Sequence, residues 1–115
     1  MATKMKYSGM EVVLGEKSYT LPPLTLGQLR NGMAEKIKEH DSLDPATDWL
    51  RMIDIKGEIV LEALRRNYAA RELSDAYFYE YTNLSNIGQM WLGLLGLSGL
   101  SAGEAAAAES QTTAS

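Results

Sequence analysis

Apolar positions alternate with polar ones from Met10 to Leu21, and after Pro23 they recur at helical spacing as far as Leu95. Within the first stretch, the β-prone runs Glu11–Leu14 and Ser18–Leu21 flank Gly15-Glu16-Lys17, which predicts a β-hairpin with a short glycine-containing turn. Pro22-Pro23 ends the second strand, because proline lacks the ladder donor and restricts the residue before it.

The helical stretch divides into segments at capping residues. Thr25 and Gln28 form a capping box, Leu24 and Leu29 a hydrophobic staple, and Leu26, Leu29, Met33 and Ile37 one apolar helix face. A longer helix is predicted from Asp44 as N-cap with Pro45 at its first position. Its apolar set is Trp49, Met52, Ile53, Ile59, Val60, Ala63 and Leu64, interrupted by Gly57. Arg65 and Arg66 fall in its last turn, where cations favour the dipole and Glu62 is within helical pairing distance. Ser74 opens a short third helix stapled by Leu73 and Phe78. A fourth, from about Leu84 to Leu95, carries Ile87, Met90, Trp91, Leu94 and Leu95 on one stripe and stops at Gly96 or Gly99. The expected fold is therefore α+β and predominantly α: an N-terminal β-hairpin packed on about four helices. Residues 10–100 form one domain between a flexible N-terminus, 1–9, and a flexible, disordered Ala/Ser/Thr-rich C-terminal tail, 101–115, which has no large apolar side chain to anchor it.

Composition narrows the chemistry. The 115 residues hold no Cys and one His, which excludes disulfides, thiolate nucleophiles and zinc ribbons and leaves no obvious ligand set for a metal or other cofactor. A net charge of -4 is the wrong sign for binding nucleic acid through its phosphates, so no nucleic-acid partner is expected. The apolar run Met90–Leu100 is shorter than the roughly 20 residues a membrane helix needs, and Met1–Met10 has no apolar signal core, so no membrane association is expected and a cytoplasmic location is the default.

Each chemical motif has a structural explanation. Gly99-Leu100-Ser101-Ala102-Gly103 matches the nucleophile-elbow pattern but follows a helix, and His40 precedes the serine where the hydrolase order needs it afterwards. His40 with Asp44 is too sparse for a metal site, and Glu58 with Glu62 reads as a solvated helix face; no catalytic residue is assigned. Asn83-Leu84-Ser85 is a glycosylation sequon that doubles as helix-capping chemistry. Arg65, Arg66 and Tyr68 suit either a nucleic-acid contact or the closure of a helix end, with a protein-binding edge between these readings. The fourth helix has more apolar surface, including Leu92, Leu97 and Leu100, than a small domain readily buries. Ile87, Trp91, Leu94 and Leu95 are accordingly its candidate partner-binding residues, for a partner or for self-association.

In their order and spacing four features resemble the tail assembly chaperones of long-tailed bacteriophages. They are Tyr19-Thr20-Leu21-Pro22-Pro23-Leu24, Leu26-Gly27-Gln28-Leu29, Leu64-Arg65-Arg66-Asn67-Tyr68 and Leu95-Gly96-Leu97-Ser98-Gly99-Leu100, and together they span most of residues 10–100. Members of that family often have proline after the tyrosine of the third feature, where this chain has Ala69-Ala70. The resemblance implies a non-enzymatic protein of the host bacterial cytoplasm. Such a protein binds the tape measure protein, keeps it soluble, helps recruit tail tube protein subunits, and is absent from the mature virion. Two alternatives stand beside it: a structural tail-completion or connector protein using the same apolar helix as a permanent contact, and a small regulator using Arg65, Arg66 and Tyr68.

Overall fold

The computed structural model describes residues 6–100. The hairpin forms from β1, Met10–Leu14, and β2, Lys17–Leu21, paired antiparallel with Leu14 opposite Lys17. Gly15 opens the two-residue turn at φ 66°, a backbone conformation that a side chain disfavours. Alternation then does its work: Val12, Leu14, Tyr19 and Leu21 face the core while Val13 and Ser18 face solvent.

Five helical segments follow. They are α1, Leu26–Gln28, joined through a kinked π-type segment Leu29–Met33 to α2, Ala34–Ser42; then α3, Trp49–Leu64; α4, Asp75–Glu80; and α5, Leu84–Leu97. Counting the kinked α1–α2 as one, four helices pack beside the hairpin, in the α-rich α+β arrangement expected. Thr25 caps α1 with the reciprocal Gln28 box, and Ser74 caps α4. Asn83 caps α5 in a box with Asn86, which accounts for the sequon residue as helix-start chemistry. Leu73 and Phe78, both buried, sit at the staple positions on either side of Ser74. At the far end of α5, Gly99 adopts φ 81°, its N–H reaching the Gly96 carbonyl and that of Leu100 the Leu95 carbonyl. That is the glycine-stopped helix end in which both orphan carbonyls are satisfied.

Three boundaries differ from the sequence pattern. Gly32, at φ 119°, breaks the first helix, so the apolar face does not run through it: Ile37 is buried, Leu29 and Met33 are half-buried, and Leu26 is 79% exposed. The long helix begins at Trp49, not Pro45. Asp44 instead caps a single turn, its Oδ1 accepting from the Ala46 N–H at 2.9 Å, while Asp48 Oδ2 accepts from the Asp44 N–H at 3.1 Å. Residues 6–9, expected to be free, are held where Tyr7 meets Asn67. The tail 101–115, and with it Ser101 and Gly103 of the elbow pattern, lies outside the described residues.

One core joins the layers. Val12, Leu14, Tyr19 and Leu21 from the hairpin meet Ile55, Ile59, Val60 and Leu64 of α3, Phe78 of α4, and Ile87, Met90, Trp91, Leu94 and Leu95 of α5. Helix α3 is the shared wall, contacting α2, α4, α5 and β2.

Candidate partner-binding surface

Arg65, Arg66, Asn67 and Tyr68 are bound inward. Where α3 ends, Asn67 is buried and its side-chain amide is fully engaged: Oδ1 accepts from the Tyr7 N–H at 2.7 Å, and Nδ2 donates to the carbonyls of Tyr7 at 3.0 Å and Thr20 at 3.1 Å. Tyr68 accepts a hydrogen bond from the Thr20 N–H at 2.7 Å, and its ring meets Tyr19 edge-on with centroids 5.0 Å apart. Arg66 donates to the Pro23 carbonyl at 2.5 Å and lies over the Tyr7 ring. Arg65 donates to the Leu73 carbonyl at 2.5 Å and pairs with Asp75 rather than with Glu62. These side chains fix the N-terminal segment, β2 and the α3–α4 connection to one helix end. The cations and the ring, named as candidate partner contacts, are thus half-buried and each bonds within its own chain.

The candidate stripe of α5 is also held within the chain. Ile87, Trp91, Leu94 and Leu95 are all at most 3% exposed, packed in the core and not presented to a partner. Periodicity had identified a shared face, and the rest of this domain covers it. What α5 leaves open is its opposite side, where Leu84, Gly88, Leu92 and Gly96 follow one another at four-residue spacing. Leu84 and Leu92 are 63% and 58% exposed, and a Cβ added at Gly88 or Gly96 would meet no neighbouring atom. On α3, Trp49 and Leu50 are likewise exposed, although the pattern had placed Trp49 in the core.

Between these surfaces lies an open groove of about 350 Å³ lined by Ile53 and Gly57 of α3, Tyr79 of α4, Thr82, Asn83, and Leu84 and Ile87 of α5. Gly57 makes room for it: a Cβ there would stand 3.1 Å from the Tyr79 ring, so the missing side chain lets that ring lie against the helix. Of its polar lining, Thr82 Oγ1 donates to the Phe78 carbonyl and Asn83 Oδ1 accepts from the Asn86 N–H. Partial burial pushes the Tyr79 hydroxyl up, and the carboxylates of Glu58, Asp75 and Asp54 push it the same way. Glu58 is paired with Lys36 and Asp75 with Arg65, while Asp54 makes no ion pair among the described residues. Sequence reasoning passed over Ile53, Gly57, Tyr79 and Leu84 as a group. The one available signal was a glycine inside an otherwise strong helix.

His40 is buried at the end of α2 against the Trp91 ring, centroids 4.7 Å apart, with Nδ1 3.0 Å from Asp41 Oδ1. Its Nε2 is buried without a hydrogen-bond partner among the described residues. Lys56 stands over the other reach of Trp91 at 5.9 Å; burial lowers its ammonium pKa, and Asp41 partly offsets that. Asp44 belongs to its own turn, and no group of three or more His, Asp or Glu residues suited to a metal occurs among the described residues. Glu58 and Glu62 are solvent-exposed, without the enclosure that paired catalytic carboxylates need. No described helix is long and apolar enough to cross a membrane.

The surface therefore offers an apolar groove with exposed leucines and a tryptophan around it, suited to contact with another macromolecule. No protein-family model, curated protein or solved structure matches the chain.

Proposed function

We propose that this chain is a tail assembly chaperone of a long-tailed bacteriophage. In that role it binds the tape measure protein in the host cytoplasm, keeps it soluble and helps recruit tail tube protein subunits. The observation that carries the reading is the set of exposed apolar residues Trp49, Leu50, Leu84 and Leu92 on a domain whose own core is complete without them. Large apolar side chains left in solvent beside a complete core are places for a partner to cover. A tape measure protein, written as a long amphipathic helix, supplies the complementary stripe by helix-in-groove contact.

The motif order that suggests the family also has a common physical basis here. Three of its four features are joined directly, as Thr20 bonds Tyr68, Arg66 bonds the Pro23 carbonyl and the Leu24 N–H bonds Ser98 Oγ, while Gln28 of the second bonds the Glu62 carbonyl two residues before the third. Residues distant in sequence are thus held to one arrangement, which supports reading them as a fold signature rather than as separate binding motifs.

The test is purification of the tagged chain from cells producing the complete tail gene set, with mass spectrometry of the eluate and of mature particles. Co-purification with the tape measure protein and absence from particles is the expected result. Stoichiometric presence in particles would make the chain a structural tail component instead.

A further inference from the structure

We propose that the groove between α3, α4 and α5 is the docking site for a partner helix that places an apolar side chain into it and Lys or Arg residues along the α3 edge. The identity of the natural partner rests on the chaperone reading; the groove and its preference do not. The shape comes first. Ile53, Gly57, Tyr79, Leu84 and Ile87 make a largely apolar trough of about 350 Å³, with Thr82 Oγ1 and Asn83 Oδ1 engaged within the chain. A leucine- or methionine-sized side chain fits such a lining without needing a hydrogen-bond partner. Further exposed apolar residues stand at helical spacing from the lining: Trp49 lies one turn before Ile53 on α3, and Leu92 lies two turns beyond Leu84 on the outer row of α5, with Gly88 between them. Anchors at helical spacing along such a surface describe an amphipathic helix.

Charge selects among amphipathic helices. Asp54 and Glu58 stand one turn apart on α3, each next in sequence to a lining residue, Ile53 and Gly57, and with Asp75 they add to the effect of burial in raising the Tyr79 hydroxyl pKa. Lys36 and Arg65 answer Glu58 and Asp75, leaving Asp54 as the acid without an ion partner among the described residues. Of the cations on α3 beside it, Arg51, one turn before Asp54, is committed to a two-bond pair with Glu39, and Lys56 is turned onto Trp91. A helix with lysine or arginine along that edge gains attraction at Asp54, while one with glutamate there meets repulsion.

The experiment uses the full chain and two synthetic capped peptides of about 18 residues, roughly five helical turns. Both carry the same leucine stripe; one has lysines on its polar flank and the other glutamate at each of those positions. Titrations followed by amide chemical shifts are expected to move Ile53, Gly57, Tyr79, Leu84 and Ile87. The lysine peptide should bind at least about tenfold tighter at low salt, with the gap narrowing as salt screens it. Leu84→Glu, at an exposed first helical position where an acid suits the dipole, should keep the fold and weaken binding at least tenfold. Asp54→Lys should remove or invert the preference. Equal affinity for the two peptides, no saturable binding, shifts centred elsewhere, or an unaffected Leu84→Glu variant would overturn the proposal. So would a concentration-dependent doubling of mass with the same shifts, since the occupant would then be a second copy. Failure here with intact co-purification of tape measure protein removes the groove and leaves the chaperone reading; peptide binding without co-purification does the reverse.

Discussion

Asn67→Ala is expected to destabilise the domain by about 3–5 kcal/mol, a large part of the roughly 5–15 kcal/mol that holds a small domain folded. The alanine removes one acceptor and two donors at once, leaving the Tyr7 N–H and the carbonyls of Tyr7 and Thr20 without the partner that joins them. Two long-range connections go with it, because the N-terminal segment and β2 are both held at this side chain. Asn67→Asp should be comparably harmful: it retains an acceptor for Tyr7 but turns a carboxylate toward two carbonyl oxygens. Tyr68→Phe provides the graded comparison, losing only the acceptor for Thr20 and about 1 kcal/mol. Urea unfolding monitored by circular dichroism measures all three, with the midpoint moving and the slope unchanged if the folded state keeps its extent. A loss below about 1 kcal/mol for Asn67→Ala would mean that these connections are incidental to the fold.

Trp91→Asp and Leu95→Asp are expected to abolish folding. Each places a carboxylate where the native side chain is 3% or 2% exposed. Desolvating that unpaired charge, together with the lost packing, exceeds the stability available to a domain of this size. Trp91 also covers the His40 ring and lies beneath Lys56, so its removal opens the contact between α2, α3 and α5. Loss of native-like circular dichroism and of chemical-shift dispersion is the expected reading. A cooperative fold persisting in either variant would contradict the burial of the α5 stripe. Partner binding lost in these variants carries no information about a contact surface, which is why the exposed Leu84 is the appropriate site for that question.

The local chemistry was legible in the sequence wherever a short span determines it. Thr25 with Gln28, Ser74, the alternating strands around Gly15 and the glycine that ends α5 each act within a few residues, and each element stands close to where the pattern put it. What covers a face was not legible. Ile87, Trp91, Leu94 and Leu95 share a stripe by spacing alone, but whether a partner or the same chain buries that stripe depends on α3 and the hairpin, far away in sequence. The same holds for Arg65, Arg66 and Tyr68, whose bonds run to Leu73, Pro23 and Thr20. Two local signals pointed the wrong way for physical reasons. Asp44-Pro45 forms a good cap for one turn, but Asp48, at φ -110°, ψ 21°, separates that turn from α3. Gly32 adopts a left-handed backbone and resets the helical phase, leaving Leu26 in solvent. The groove was the hardest to foresee, since Gly57, Tyr79 and Leu84 come from three helices and none belongs to a recognisable motif.

The most direct measurement of the central proposal is the fraction of tape measure protein remaining in the supernatant when it is produced alone, with this chain, or with the folded Leu84→Glu variant. A chaperone that covers an apolar helical stripe predicts precipitation alone, retention in solution with the native chain, and partial or complete loss of that retention with the variant. Equal amounts of soluble tape measure protein with and without the native chain would contradict the account.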